Sequence, residues 1–501
     1  MKKISMLDRG INGIKWMSLS AVSTTIVNFI LTIVLARLLN ANDYGEFQAI
    51  AVLVGFADML WSIGIGPALI RKKELTTEDI NTGHTINVLM GIIIFLVINI
   101  WGSFWCKLFV ISSQQMLHVY SFIFIINTFL AVPKSLLYRN YKYKIVAIAS
   151  IIGVIVHAVL GVLLAYSGWG AWALIISTLI QYLVQIIFII PNLKIKYKFS
   201  ICKKSIDELV YFGGGYTLMQ VFNYVALQGD NYIVNKFLGS EALGYYGKAY
   251  NLMGYPANLV GQTLDQVMYP ILSEAQDNKE KLKRIFLAET CLIGIVVAPI
   301  TAVGVVCRKE LVSFLLGDRW LLVTVPMMIM ILTLFFRTAY KLNYTVLKAL
   351  GKVYIMSLIQ FIYAVSIILC CYIGHFWGLK GVAVGACVAI IVNYLESLRR
   401  LIIEIQIEVK LLILSYIAPL IYQISLIFIA YIIHNRISKY FFGNLIILVT
   451  VTLIVFGIYS IEYKLSYKYI VLPQTNKYIE KIYLGIRDKV KKLRILKMHK
   501  V

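Results

Sequence analysis

The sequence predicts an all-α polytopic membrane protein with about fourteen transmembrane helices, and three observations carry that prediction. Of 501 residues, 60% are hydrophobic and 14% charged, with a mean hydropathy of +0.80; soluble domains cannot bury so much apolar surface. The apolar residues fall in runs of about twenty, the length at which a helix crosses a bilayer. Basic residues gather in every second loop, as they do on the cytoplasmic side of membrane proteins.

Taken in order, a basic segment (Met1 to Lys15) leads into span 1, about Trp16 to Leu38. Its apolar stretch is too long for a signal sequence and lacks a small-residue cleavage site, so it is expected to remain as a span. Spans 2 to 6 are about Tyr44 to Ile65, Ile86 to Trp105, Met116 to Leu137, Ile145 to Ala165 and Trp169 to Ile190. The basic loop PNLKIKYKFSICKKS follows. Spans 7 and 8 lie within Tyr211 to Pro270; spans 9 to 12 are about Ile285 to Val306, Leu321 to Tyr340, Tyr354 to Gly374 and Gly378 to Leu398. Two further spans, about Val409 to Ile433 and Phe441 to Ser460, precede a basic tail. The predicted organisation is a six-helix lobe over 1–191, an inter-lobe loop over 192–206, a second six-helix lobe over 207–400, two extra spans over 401–461, and a tail over 462–501.

The formal net charge is +24, which in a soluble protein would suggest nucleic acid. Its distribution points elsewhere. Counting alternate loops, about 37 of the 48 Lys and Arg residues fall on one side, Lys134 and Lys341 included, and about 10 on the other. Both termini are therefore expected in the cytoplasm, with no nucleic-acid partner. In the tail, Ile479, Ile482, Ile486, Val490 and Leu493 form an apolar stripe among lysines, which suits either a helix on anionic membrane lipids or a solvated basic tail. The seven cysteines form no CxxC pair and mostly lie in apolar spans, so neither a disulfide nor a metal site is inferred.

The chain repeats itself. LNANDYGEF (39–47) is echoed by LGSEALGYY (238–246), LYRNYKYKI (137–145) by LKALGKVYI (347–355), and Trp169-Gly170 by Trp377-Gly378, at offsets of about 200 to 210 residues. Spans 1–6 thus correspond to spans 7–12 in the same orientation, an arrangement that places substrate between two lobes and permits alternating access.

Polar stripes at helical spacing mark the candidate cavity wall. Span 1 carries Ser20, Thr24, Asn28 and Thr32; span 2 carries Gln48, Gly55, Asp58 and Ser62. Span 7 carries Thr217, Gln220, Tyr224 and Gln228, and span 8 carries Asn251, Tyr255, Asn258, Gln262, Asp265 and Tyr269. Such stripes either line a wet cavity or hold helices together.

The segments IVLARLLNANDYGEF (33–47), IGIGPALIRKKELTTEDINTG (63–83), GDNYIVNKFLGSEALGYYGKAYNLMGYP (229–256), YPILSEAQ (269–276), FLLGDRW (314–320) and LKALGKV (347–353) together resemble one family. It is the polysaccharide transporter branch of the multidrug/oligosaccharidyl-lipid/polysaccharide superfamily, the Wzx-type flippases. The resemblance covers roughly residues 1 to 400; Asn140 to Lys144 is more basic and aromatic than the family pattern, and spans 13–14 and the tail carry no family motif. It implies two six-helix lobes in a V, and a bacterial cytoplasmic-membrane location. It also implies ion-coupled flipping, by H⁺ or Na⁺, of an undecaprenyl-pyrophosphate-linked oligosaccharide toward the outer leaflet for surface polysaccharide synthesis. No other cofactor is implied; polysaccharide-assembly proteins are the expected protein partners.

Several ionisable residues are candidates within that reading. Asp58, deep in span 2, is a coupling-ion or gating carboxylate, or a protonated structural one. Asp265 sits near the inner end of span 8, where solvation explains it as well as coupling. Lys248 either grips phosphate or sugar, or snorkels outward. Arg37 and Asp230, at the outer ends of spans 1 and 7, are a candidate gate pair. Arg337 meets an incoming pyrophosphate or snorkels. His157 is read mainly as a hydrogen-bonded core histidine, and Gly213 to Gly215 as a loosened start to span 7. A cation-coupled small-molecule exporter is the competing transport reading. A membrane enzyme would need paired catalytic carboxylates or a large outer loop, and the sequence shows neither.

Overall fold

The computed structural model describes residues 6–61, 64–72, 74–193, 198–439 and 443–470; some side chains within the helices lie outside that description. The described residues are helical and contain no strand. The helices are α1 (Met6–Leu38), α2 (Ala41–Trp61), α3 (Ile65–Arg71), α4 (Thr77–Ile100), α5 (Gly102–Phe109), α6 (Gln114–Tyr120), α7 (Phe122–Arg139), α8 (Tyr143–Tyr166), α9 (Ala171–Ile189) and α10 (Lys203–Leu238). They continue with α11 (Ser240–Glu274), α12 (Lys279–Val306), α13 (Arg308–Leu315), α14 (Thr324–Leu332), α15 (Leu334–Ala349), α16 (Val353–Gly374), α17 (Gly378–Ile405), α18 (Val409–Ile437) and α19 (Asn444–Ile470).

Ten stretches are long and apolar enough to cross a membrane, or eleven if α14 and α15, bent by 46° at Thr333, are taken as one. That is fewer than the fourteen expected. The long helices α10 and α11, which carry two of the polar stripes, are not among the ten.

The chain forms two compact units, Met1–Gly247 and Lys248–Val501. The division falls inside α11, not in the 192–206 loop where the sequence places the inter-lobe boundary. Within the first unit α10 packs on α2, α3 and α4, α1 on α8, and α8 on α9. The described part of the 192–206 loop is fastened to α4 by polar side chains. Asn81 Oδ1 accepts from the Lys198 amide (3.1 Å), Thr82 Oγ1 from the Cys202 amide (3.1 Å), and Thr85 Oγ1 from the Ser200 amide (3.2 Å). The Ser205 hydroxyl donates to Asp79 (2.7 Å), which also caps its own helix through Thr76 and pairs with Lys72 (2.7 Å). Extended backbone with no ladder partner satisfies its amides on a helix face instead.

In the second unit α12 lies at the centre, packed on α18, α15 and α14; its span is 83% buried. α16 and α17 form a close hairpin because Gly381 and Gly385 lie against the backbone of Gly374 and Cys370, where a side chain would meet carbonyl oxygens at 2.1 and 2.4 Å.

The repeat has a backbone signature. At the turn after α7, Tyr141 takes φ +56°; at the equivalent turn after α15, Gly351 takes φ +70°. The closing bonds match too: Lys142 N to Leu137 O at 2.8 Å, and Lys352 N to Leu347 O at 2.9 Å. Gly170 and Gly378, the glycines of the two Trp-Gly pairs, also share positive φ, +53° and +67°. The first echo is reciprocal in space. A Cβ on Gly45 would meet Ser240 O at 1.7 Å, and one on Gly244 would meet Ala41 O at 1.9 Å; these four positions are two equivalent pairs at the 199-residue offset.

Candidate functional site

Span 2 is interrupted: α2 ends at Trp61, and α3 restarts after Gly64 in the left-handed conformation, φ +60°. Asp58 stands one turn before this break. Interrupted helices expose backbone and side-chain dipoles where membrane transporters bind their cargo. Around Asp58 the first unit gathers polar groups from four other helices. Asn127 of α7 hydrogen-bonds its carboxyl, and Lys134, two turns further along α7, lies within electrostatic reach. Lys134 donates from Nζ to Gln185 Oε1 of α9 (2.8 Å) and lies 5.9 Å from the Tyr182 ring centroid. Tyr120 of α6, bonded to Thr178, and Tyr224 of α10 complete the cluster.

The spacing of α7 brings Asn127 and Lys134 onto one face, seven residues apart. Lys134 is therefore a helix residue facing the core, not one of the loop cations with which the sequence count groups it. Neither it nor Asn127, Tyr120, Tyr182 or Gln185 stands out in the sequence, because each is a lone polar residue in its own span.

Tyr224 reaches this cluster but its hydroxyl donates to Val52 O (2.9 Å) across the α2–α10 contact. Gly55 makes room for it: a Cβ there would lie 2.3 Å from the Tyr224 oxygen. Of the span 1 stripe, Ser20 is buried with its hydroxyl directed at Ala147 O of α8 (3.5 Å), Thr24 bonds Ser20 O of its own helix (2.8 Å), and Asn28 is exposed. Ser20 and Tyr224 thus hold helices together. Gln48 and Gln220 are half-buried, and the Thr217 hydroxyl is buried with no hydrogen-bond partner among the described residues. Asp230 is 2% exposed and accepts from the Tyr246 hydroxyl (2.8 Å), while Arg37 is exposed at the end of α1. His157 bonds the backbone of Ser177, the core role expected of it.

The second unit has its own polar seam, between α11 and α15. Arg337 stacks on the Tyr250 ring at 4.9 Å, and one turn on, Lys341 donates to Asn258 Oδ1 (3.0 Å) and Ala257 O (3.3 Å). Gly261 gives the lysine stem space; a Cβ there would lie 2.5 Å from it. Arg337 is only 7% exposed, so it does not snorkel, and Lys341 belongs to α15, not to a loop. Lys248 is also buried, 2% exposed, with its ammonium 5.7 Å from the Trp320 ring; the outward-snorkelling alternative is not what the fold adopts. Trp320 is the end of the FLLGDRW motif, which gives that motif a local role. Asn251 is exposed and Tyr255 half-buried; Gln262 and Asp265 lie outside the described side chains.

The two seams are related by the repeat. At the 210-residue offset, Asn127 corresponds to Arg337; at the 199-residue offset, Asp58 corresponds to Ala257. One unit places a carboxylate where the other has a carbonyl, and an amide where the other has a guanidinium.

Two cavities lie away from both seams. One of about 550 Å³ is bordered by Arg308, Glu310, Phe428 and His434, and one of about 480 Å³ lies beside the α16–α17 hairpin. Among the described residues, no three His, Cys, Asp or Glu side chains are grouped to hold a metal ion.

Comparison with known proteins follows the same lines. The chain is 22% identical over 79% of its length, and 82% of the other's, to an uncharacterised membrane protein of the cps region of Klebsiella pneumoniae. It is 24% identical over 63% of its length to the lipopolysaccharide biosynthesis protein WzxC of Escherichia coli K12, spanning 65% of that protein. Its fold matches the inward closed conformation of the lipid II flippase MurJ with a TM-score of 0.74, over 89% of this chain and 98% of that one, at 17% identity. The model of the family described as "Polysaccharide biosynthesis protein" matches residues 34–325, more than half of the sequence, and the chain belongs to that family.

Proposed function

We propose that the chain is a flippase, moving a lipid-linked oligosaccharide from the cytoplasmic to the outer leaflet of a bacterial cytoplasmic membrane for surface polysaccharide synthesis. The carrier is an undecaprenyl pyrophosphate, and the cycle is ion-coupled alternating access in which the polar faces of the two repeats open in turn to each side. The observation that carries the reading is the cation pair on α15. Arg337 and Lys341, one turn apart inside a membrane helix, supply the fork and the point charge that a diphosphate requires. Family membership and the named relatives support it. Hydroxyl, amide and aromatic groups around Asp58 suit a sugar chain, whereas a small-molecule exporter has no use for paired cations. We read the chain as a transporter rather than an enzyme on the same grounds.

Fourteen spans, in two six-helix lobes plus two, belong to this proposal. The α16–α17 hairpin counts as two passes, the bent α14–α15 pair as one, and α10 and α11 as one each. The loop charges then alternate, with both termini cytoplasmic. Deletion of the gene, followed by analysis of lipid-linked intermediates, tests the function. Complete repeat units should accumulate facing the cytoplasm; incomplete units would mean an earlier, enzymatic step.

A further inference from the structure

α12 is apolar around its whole circumference and forms the centre of its unit, as a helix buried on all sides must. One residue breaks that pattern. Glu289 is 2% exposed, and neither carboxyl oxygen has a hydrogen-bond partner among the described residues. It lies five residues beyond Arg284, the last of the charged residues that open the helix, so roughly 7 Å of helix separates it from that polar end.

The ionisable groups on the surrounding helices are engaged elsewhere. On α15, Arg337 stacks on Tyr250, Lys341 bonds α11, and Tyr344 bonds Asn393. On α18, Tyr416 meets Tyr394 of α17. On α17, Glu396 holds Arg399 and Arg400, and on α19 Tyr459 donates to Ile295 O (3.1 Å). On α13, Glu310 pairs with His434 at the far end of α12. α14 has no ionisable side chain. An isolated carboxylate in such a medium is several kcal/mol too costly to persist, and the group takes up a proton instead. A neutral acid leaves a much smaller deficit, about 1–3 kcal/mol.

We infer that Glu289 is a proton-binding site: it is carried as the neutral acid in this conformation and exchanges its proton when rearrangement of α12 against α18 and α15 opens it to water. As a coupling site it rests on the flippase reading; as a proton site it does not.

Infrared difference spectra of the full chain in lipid nanodiscs, recorded between mildly alkaline and mildly acidic pH, test it. The wild type should show a deuterium-sensitive C=O stretch of a protonated carboxyl. Glu289→Gln should lose that band with unchanged thermal melting, and Glu289→Asp should displace it; the Asp variant decides the matter if the Gln variant does not fold. An unaltered band in both variants, or no band in the wild type, overturns the assignment. So does a signal that follows sodium at constant pH, which would mark a sodium site. In proteoliposomes, Glu289→Gln should flatten the pH dependence of flipping. If wild-type liposomes flip nothing, the flippase reading fails while the spectra still decide the proton site.

Discussion

The contact between the two echoed turns gives the most direct test of the fold. Substituting Gly45 by Ala puts a methyl 1.7 Å from Ser240 O and 2.4 Å from its carbonyl carbon. Carbon and oxygen approach no closer than about 3.3 Å even in favourable C–H···O contacts, so the crossing must open by roughly 1.6 Å. The obstacle is backbone, which no rotamer change can remove. A gap of about 0.5–1 Å already forfeits a quarter to a half of each dispersion contact, and overpacking with no escape costs about 3 kcal/mol. Gly244→Ala opens the same crossing from the other side, with its methyl 1.9 Å from Ala41 O. The two substitutions should therefore be non-additive, the second costing clearly less than the first, whereas independent sites add within about 0.5 kcal/mol. Gly247→Ala is the control: nothing lies within 4 Å of its Cβ, and alanine in a helix should be neutral or stabilise by up to about 1 kcal/mol. Thermal melting of the purified protein, read by size-exclusion recovery, measures all four. A Gly45→Ala protein that melts with the wild type, or single effects that simply add, would refute the reciprocal packing.

Tyr141→Gly should raise the melting temperature, by up to about 1 kcal/mol, because it removes a positive-φ strain that outweighs the loose ring contact with Tyr143; Gly351→Ala at the equivalent turn should lower it, and the same melting assay reads both. Asp58→Asn should abolish polymer export while the protein remains inserted, and should also destabilise, since it leaves the half-buried Lys134 without its facing charge. Adding Lys134→Gln should recover stability but not export, which separates the two effects. Arg337→Lys keeps the charge but loses the planar stack on Tyr250; complete lipid-linked repeat units should accumulate at normal protein levels, as lipid extraction would show.

The sequence determined the class of this protein and its internal repeat. Apolar runs of bilayer length must be helices, since no other single-chain element satisfies its backbone in hydrocarbon, and the turn residues of each repeat specify the same closing bonds at 137–142 and 347–352. Asp58 was legible as a site candidate because a carboxylate inside a span is costly wherever its neighbours lie. What surrounds Asp58 was not legible. Lys134, Gln185, Tyr182 and Tyr120 come from three helices, and only tertiary packing brings them to one carboxyl. Packing also decided how the polar stripes are used: Ser20 and Tyr224 are spent on neighbouring backbones, while Arg337 and Lys341, one read as a possible snorkeller and the other as a loop cation, face α11. Helical spacing says which residues share a face, but the direction of that face depends on which helix lies opposite. Glu289 shows this most sharply: one acid in an apolar run looks tolerable until α12 is found enclosed on every side.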